Sequence, residues 1–283
     1  MVWSKGRARI GFQQLEYLLT LITLLFASVT SLATCTATEK NAEFSADNGS
    51  EDTASLTANI NAVGDLVAIT AWCYPNCTAV SVTLGSQSAV ATSNSGNAPI
   101  TTSGGTPGSA PGTGRGWIYY ILSAAASGSQ TVTWTVSGSH TDIQVSYIDF
   151  SPSAGCHFAH NVDSPLGSYI GSNSDTGNGT INAASITPTT GDLLFNFTWT
   201  SEHINSVNSP WSCPIYVETG TCEFTSTINA AAYILSAASG SIANNMTDLH
   251  NTASWQALIT SFSMKFGVDS PPNPPTGLTL VVQ

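Results

Sequence analysis

The chain has 283 residues, of which 8% are charged and 42% apolar, with 24 glycines and a formal net charge of −11 from 6 basic and 17 acidic residues. So little charge excludes a Glu- and Lys-rich helical bundle, and the acidic balance excludes a nucleic-acid binder, which needs Lys and Arg to displace counterions. Disorder is excluded as well, because the apolar residues suffice for a core.

Lys5, Arg7 and Arg9 precede an apolar run from Leu18 to Ala33, and no charge falls between Glu16 and Glu39. Basic residues, an apolar stretch and then small residues form the pattern of an export signal. Residues 1–35 are therefore read as a signal peptide or membrane anchor. Three forms of that reading stand side by side. Ser31-Leu32-Ala33 supplies a cleavage site for a signal peptide. Leu32-Ala33-Thr34-Cys35 resembles a lipobox, which would retain the chain on a membrane. Gly11-Phe12 with Glu16 resembles a prepilin processing site. Each sends the remainder out of the cytoplasm, so the expected location is extracellular or cell-surface, with the membrane touched only through this segment. Beyond Thr36 only Lys40, Arg115 and Lys265 are basic, against every acidic residue except Glu16.

Residues 36–52 read as a polar N-terminal segment, and strands follow. Asp65–Cys73, Ala79–Leu84, Trp117–Ser123, Thr131–Val136 and Asp142–Phe150 are apolar, β-branched or aromatic. Thr131–Val136 alternates strictly, which puts Val132, Trp134 and Val136 on one face. Ile181–Ile186, Asp192–Thr200, Ala230–Ser236 and Ser254–Ser263 continue the series. No stretch after the leader has a helical period, and strands without intervening helices imply an antiparallel sandwich. Ser86–Gly116, rich in Gly, Ser, Thr and Pro, is long for a plain connection and is expected to be a surface or binding loop. Residues 268–283 read as a Pro-rich linker and a terminal strand.

Six cysteines suit an oxidising compartment. Cys73 and Cys77 bracket Tyr-Pro-Asn, and Cys213 and Cys222 bracket another short loop, so each pair is expected as a disulfide. Cys156 is left either to pair with Cys35 or to stay buried and free.

A repeat organises the rest. Gly64-Asp65-Leu66-Val67 recurs as Gly191-Asp192-Leu193-Leu194, and Trp72 follows Asp65 at the spacing at which Trp199 follows Asp192. Tyr120-Ile-Leu-Ser-Ala-Ala recurs from Tyr233, and Phe150 follows Gly128 as Phe262 follows Gly240. The halves are residues 54–155 and 179–267 of a sandwich over 53–267, and one sandwich is preferred to two tandem units. Gly permits a positive-φ turn and Asp can cap it, so Asp65 and Asp192 are expected to be structural.

Chemistry is sparse. A glycosidase needs two carboxylates across a cleft, and Asp149, Glu202, Glu218 and Glu223 are the candidates beside strands. Only Glu202 has a titratable neighbour, His203, and an exposed loop pair explains it as well. Cys156, His157 and His160 could hold a metal, but three ligands fall short of a tetrahedral set. Asn173, Asp175 and Asn178, around Gly177, have the oxygen-rich look of a calcium loop without its distal acid, and calcium is the one cofactor the sequence suggests. No hydrolase elbow or phosphate loop is present. Trp211, Trp117 and the Tyr119-Tyr120 pair are candidates to stack on sugar rings.

The GDL strands, the Tyr-Ile-Leu-Ser hairpins and the Trp-bearing final strand ending near Phe262 resemble secreted bacterial jelly-roll-like β-sandwich modules. That resemblance spans about residues 53–267 and implies a fold and a surface setting, with no site residues. The tail, Pro-rich and then Gly277–Gln283, resembles the start of a fibronectin-III-like module. The sequence therefore points to an all-β, jelly-roll-like antiparallel sandwich built from two repeats after one hydrophobic N-terminal helix or leader. Its expected role is non-catalytic, in adhesion, binding or structure, with a glycan or another surface protein as partner. A carbohydrate-binding or carbohydrate-active module and a pilin-like subunit are the alternatives.

Overall fold

In the computed structural model, the residues described are 35–44, 51–75, 77–91, 102–104, 114–138, 140–159, 168–173, 180–200, 204–207, 209–214, 229–248 and 255–268. The leader, the Pro-rich linker and the terminal segment lie outside them. The first ten strands are β1 (Ala37–Phe44), β2 (Thr53–Ile60), β3 (Leu66–Pro75), β4 (Thr78–Leu84), β5 (Gln87–Ser88), β6 (Val90–Ala91), β7 (Thr102–Gly104), β8 (Gly114–Ile121), β9 (Gly128–Ser137) and β10 (His140–Pro152). There follow β11 (Cys156–Ala159), β12 (Ser168–Asn173), β13 (Thr180–Ile186), β14 (Leu193–Thr200), β15 (Ile204–Val207), β16 (Asn229–Ile234), β17 (Ile242–Asp248) and β18 (Trp255–Val268). The described residues contain no helix.

The chain crosses repeatedly between two antiparallel sheets. One runs β1-β10-β3-β8-β6, with β7 also on β8, and the other runs β2-β9-β4-β5. The alternation of β2 explains its place: Ala54, Leu56, Ala58 and Ile60 are buried while Thr53, Ser55, Thr57 and Asn59 are exposed. A period of two gives one wet and one dry face. β9 behaves in the same way, with Val132, Trp134 and Val136 buried as its alternation implies. These residues pack on Val67, Ile69 and Ala71 of β3, on Trp117 and Tyr119 of β8, and on Val145 and Tyr147 of β10. Trp117 and Trp134 meet at 5.6 Å with their planes tilted by 56°.

Along its described side chains β3 has no exposed face. Leu66 through Ala71 are all buried. The alternate residues Leu66 and Ala68, with Ile118 and Tyr120 of β8 and Ile148 and Phe150 of β10, enter a second core. Its other wall is Leu193 and Phe195 of β14 with Ala231 and Tyr233 of β16. These belong to the sheet β11-β18-β14-β16, to which β12 adds on β18. Phe150 sits at its centre, edge-on to Phe195 at 6.4 Å and to Tyr233 at 5.4 Å. The first half is thus a sandwich, and its larger sheet is itself sandwiched against the second half. A further sheet, β13-β17-β15, completes the described strands.

β1 falls within the stretch whose composition reads as a polar segment. It nevertheless pairs along β10 from Ala37↔Pro152 to Phe44↔Ser146. Its buried side chains are small or alternate with exposed ones, as in Ala37, Glu39 and Ala42, so no run of hydrophobics announces it. Cys35, just before β1, is bonded to Cys156 at the start of β11. That bond fastens the edge of the central sheet to the second half and settles the partner of Cys156. Cys73 and Cys77 are bonded as their spacing implies. Cys213 is also in a disulfide; Cys222 lies outside the described residues.

The two bonds should differ in worth. Cys35 and Cys156 are 121 residues apart and Cys73 and Cys77 only 4. Loop-closure entropy gives about 4–5 kcal/mol for the first and about 2 kcal/mol for the second. Urea unfolding of Cys35→Ala/Cys156→Ala should therefore show roughly twice the loss found in Cys73→Ala/Cys77→Ala.

Candidate functional site

The residues proposed for sugar stacking do not present open ring faces. Trp211 is 5% exposed and Trp117 3%, and both tyrosines of the Tyr119-Tyr120 pair are buried. Trp117 and Tyr119 are drawn inward by the alternation of β8, which points them into the first core. Burial there also raises the Tyr119 hydroxyl far above the usual phenol range. Trp211 lies beside the bridge between Ser212 and Tyr233, which brings its loop against β16. Glu202, His203, Asp175 and Asn178 lie outside the described residues, as do Glu218, Glu223 and His160. Asn173 is the last residue of β12, in register with Trp255. The Cys156-His157-His160 metal reading fails on Cys156, whose sulfur is committed to Cys35. Among the described residues no group of three His, Cys, Asp or Glu is placed to hold a metal.

Two features bring chemistry-bearing groups together. The first is a cleft of about 500 Å³ between β4 and β8, lined by Thr78, Ser81, Val82, Ala89, Trp117 and Tyr119 among others. None of its lining residues is charged. Trp117 and Tyr119 line it together with the hydroxyl-bearing Thr78, Ser81 and Ser88. Its size is that of a small-ligand pocket, and its lining suits an apolar group with a few hydrogen-bonding atoms.

The second feature is a set of carboxyls inside the central sheet. Gly64 has φ +96° and Gly191 φ +92°, the left-handed turn that each Gly-Asp pair implies. The Ala62 N–H donates to Asp65 Oδ2 at 2.8 Å, and the Thr189 N–H donates to Asp192 Oδ2 at 2.9 Å. Both turns also exchange backbone bonds with the hairpin after the neighbouring strand: Gly64 N–H to Ala124 O, and Gly191 N–H to Ala237 O. The aspartates cap their turns, as their sequence pattern implies.

Asp65 has a companion that the spacing does not reveal. Asp149 on β10 is wholly buried, and its Oδ2 accepts the Asn61 N–H at 2.8 Å. Next to it, the Asn59 N–H donates to the Tyr147 hydroxyl at 2.8 Å, and Asn41 Nδ2 donates to Asn59 O at 2.6 Å. The Asp149 carboxyl is raised to about 7, first by burial and then by the Asp65 carboxyl, against the lowering pull of the Asn61 N–H and the Asn41 amide. On the opposite face, Glu39 of β1 is buried and hydrogen-bonds the Tyr233 hydroxyl, which burial and that carboxylate together push far above the usual phenol range. This contact crosses from the first half to the second. Thr70 and Ser146, both buried, hydrogen-bond one another on the central sheet.

No protein-family model matches the chain, and a search of curated proteins finds no match.

The Glu39–Tyr233 contact can be measured. Tyr233→Phe removes one hydroxyl and leaves the buried carboxylate short of a donor. The expected loss is about 1–3 kcal/mol in chemical unfolding. A loss below about 0.3 kcal/mol would show that the carboxylate finds other support.

Proposed function

We propose that the chain is an exported, non-catalytic β-sandwich that works outside the cytoplasm as a binding or structural module. The observation that carries this reading is the bond between Cys35 and Cys156. A long-range disulfide tying the start of β1 to the start of β11 persists in an oxidising compartment and is rare in a reducing one. It also bears on the leader. A lipoprotein would need the Cys35 sulfur for its acyl thioether, and a sulfur bonded to Cys156 is not free for that. The cleaved-signal form of the leader accords with this bond better than the lipobox form does.

The non-catalytic part rests on where the buried carboxyls lie among the described residues. Asp65 and Asp149 are 1% and 0% exposed, so no substrate meets them. A glycosidase pair must flank its bond across an open cleft. The uncharged cleft between β4 and β8 is the place where such a module would take a ligand. A glycan partner would have to be recognised there or through residues beyond the described ones, since Trp211 and Trp117 do not offer their faces.

A fusion tests the export reading. Residues 1–36 joined to a reporter that is active only after oxidative folding outside the cytoplasm should give activity in a bacterial host. The full chain recovered from the same host should carry a blocked Cys35 that thiol alkylation reaches only after reduction. A reporter left inactive with intact expression, or a Cys35 alkylated without reduction, would refute the proposal.

A further inference from the structure

Asp149 is surplus to the turn it supports. The Asp192 turn is capped by one carboxylate, and β18, the neighbour of β14 as β10 is of β3, carries no Asp or Glu along Trp255–Val268. Where the first half has Asp149, β18 offers only serines, Ser261 or Ser263. A second carboxyl has therefore been added at one of two otherwise similar turns. Burying a charge without a counter-charge is costly, so the addition needs a reason.

Its surroundings restrict what can occupy the space. Asp149 Oδ1 is buried without a hydrogen-bond partner. The groups acting on this carboxyl are the Asn61 N–H, the Asn41 amide and the Asp65 carboxyl, none of them a cation. Tyr147, on the same strand, is turned toward Asn59, and Glu43 of β1 adds further negative charge beside Tyr147. Converging N–H donors repel a metal ion. A proton on Asp149, by contrast, lets its carboxyl donate a hydrogen bond toward the Asp65 carboxyl and removes the buried charge.

We propose that a proton held by Asp149, at the foot of the Asn61–Asp65 turn, latches that turn onto β10 and releases it on leaving. The geometry makes the turn the responsive part. Asp149 holds its Asn61 end and Asp65 holds Ala62, so repulsion between the carboxylates pulls on both anchors. The same turn presents Val63, 65% exposed, at the rim of a hollow lined by Gly64, Leu122, Cys156 and His157. Loosening the latch would change that rim and the surroundings of the Cys35–Cys156 bond.

The direction follows from the raised carboxyl. The closed turn keeps its proton up to about pH 7, whereas an opened turn would lose it near pH 4, the ordinary carboxyl range. Closure is therefore fully supported below about pH 4, weakens as pH rises, and levels off above about 7.

Hydrogen exchange on the intact oxidised protein tests this, with the Thr189–Asp192 turn as the control in the same molecule. After correction for intrinsic exchange, protection at Asn61 and Ala62 should fall about tenfold per pH unit between about 5 and 7 and then level. Protection at Thr189 and Gly191 should change little. Asp149→Asn, which keeps the shape and donates permanently, should abolish the slope at Asn61. Should that variant not fold, carbon-13 titration of the wild-type carboxyls decides the matter, with an Asp149 midpoint near 7 expected. Equal slopes at both turns, an Asp149 midpoint below 5, or turn protection restored at pH 8 by added calcium would each overturn the proposal.

Discussion

A sheet covered on both faces must satisfy every polar group it contains from within, and the central sheet β1-β10-β3-β8 is such a sheet. One face meets β2 and β9, and the other meets β14 and β16. Among the described residues, every buried polar side chain of the first half lies in this sheet or in the turn that enters it: Glu39, Asp65, Thr70, Ser146 and Asp149. Asp65 caps its own turn, and each of the others is tied in by a bond that also joins two elements. Thr70 with Ser146 fastens β3 to β10, Glu39 reaches Tyr233 in the second half, and Asp149 holds the exit of β2. Unsatisfied groups there would cost about 1–3 kcal/mol each. The polar contacts accordingly specify which strand lies against which, while the apolar layers on either side supply the driving force.

The same constraint explains the N-terminal strand. Without β1, the β10 edge of the sheet would expose its ladder. β1 closes it, contributes Ala37 and Ala42 to the layer between the halves, and is held at its start by Cys35. Thr36 and Ser153 extend the pairing beyond the strand through two further bonds, at 2.8 Å and 3.1 Å. Small side chains are what the crowded layer beside Phe150 and Tyr233 accepts, which is why a strand so important to closure looks polar in sequence.

Much of the strand pattern was legible because period two is a strong signal where one face is wet. The alternation of β9 gave its buried face correctly, and the apolar stretch of β3 marked a strand dry on both sides. The two Gly-Asp turns were legible for a local reason, since cap and donor are three residues apart. What stayed hidden depends on register. Asp65 and Asp149 meet only because β3 and β10 pair as Val67↔Asp149, and no local rule sets that alignment. The burial of Trp117 was hidden for the same reason. Its neighbours in sequence suggest a loop's end, but the pleat of β8 turns it toward Trp134. Trp211 looked exposed between a proline and a cysteine, yet the backbone bridge at Ser212 seats its loop on β16.

The scarcity of cations and the treatment of the buried acids are one phenomenon. Proteins usually neutralise an interior carboxylate with Arg or Lys. Beyond the leader this chain has only Lys40, Arg115 and Lys265, and Lys40 is exposed. Charge neutralisation by ion pairing is thus scarce by composition. The remaining ways to hold a buried acid are backbone N–H groups, amides, hydroxyls and protons. Asp192 has a turn N–H, Glu39 has a tyrosine hydroxyl, and Asp149 has an N–H, an amide and a neighbouring acid. The third places two acids together without a counter-charge, and near neutral pH that arrangement favours retention of a proton.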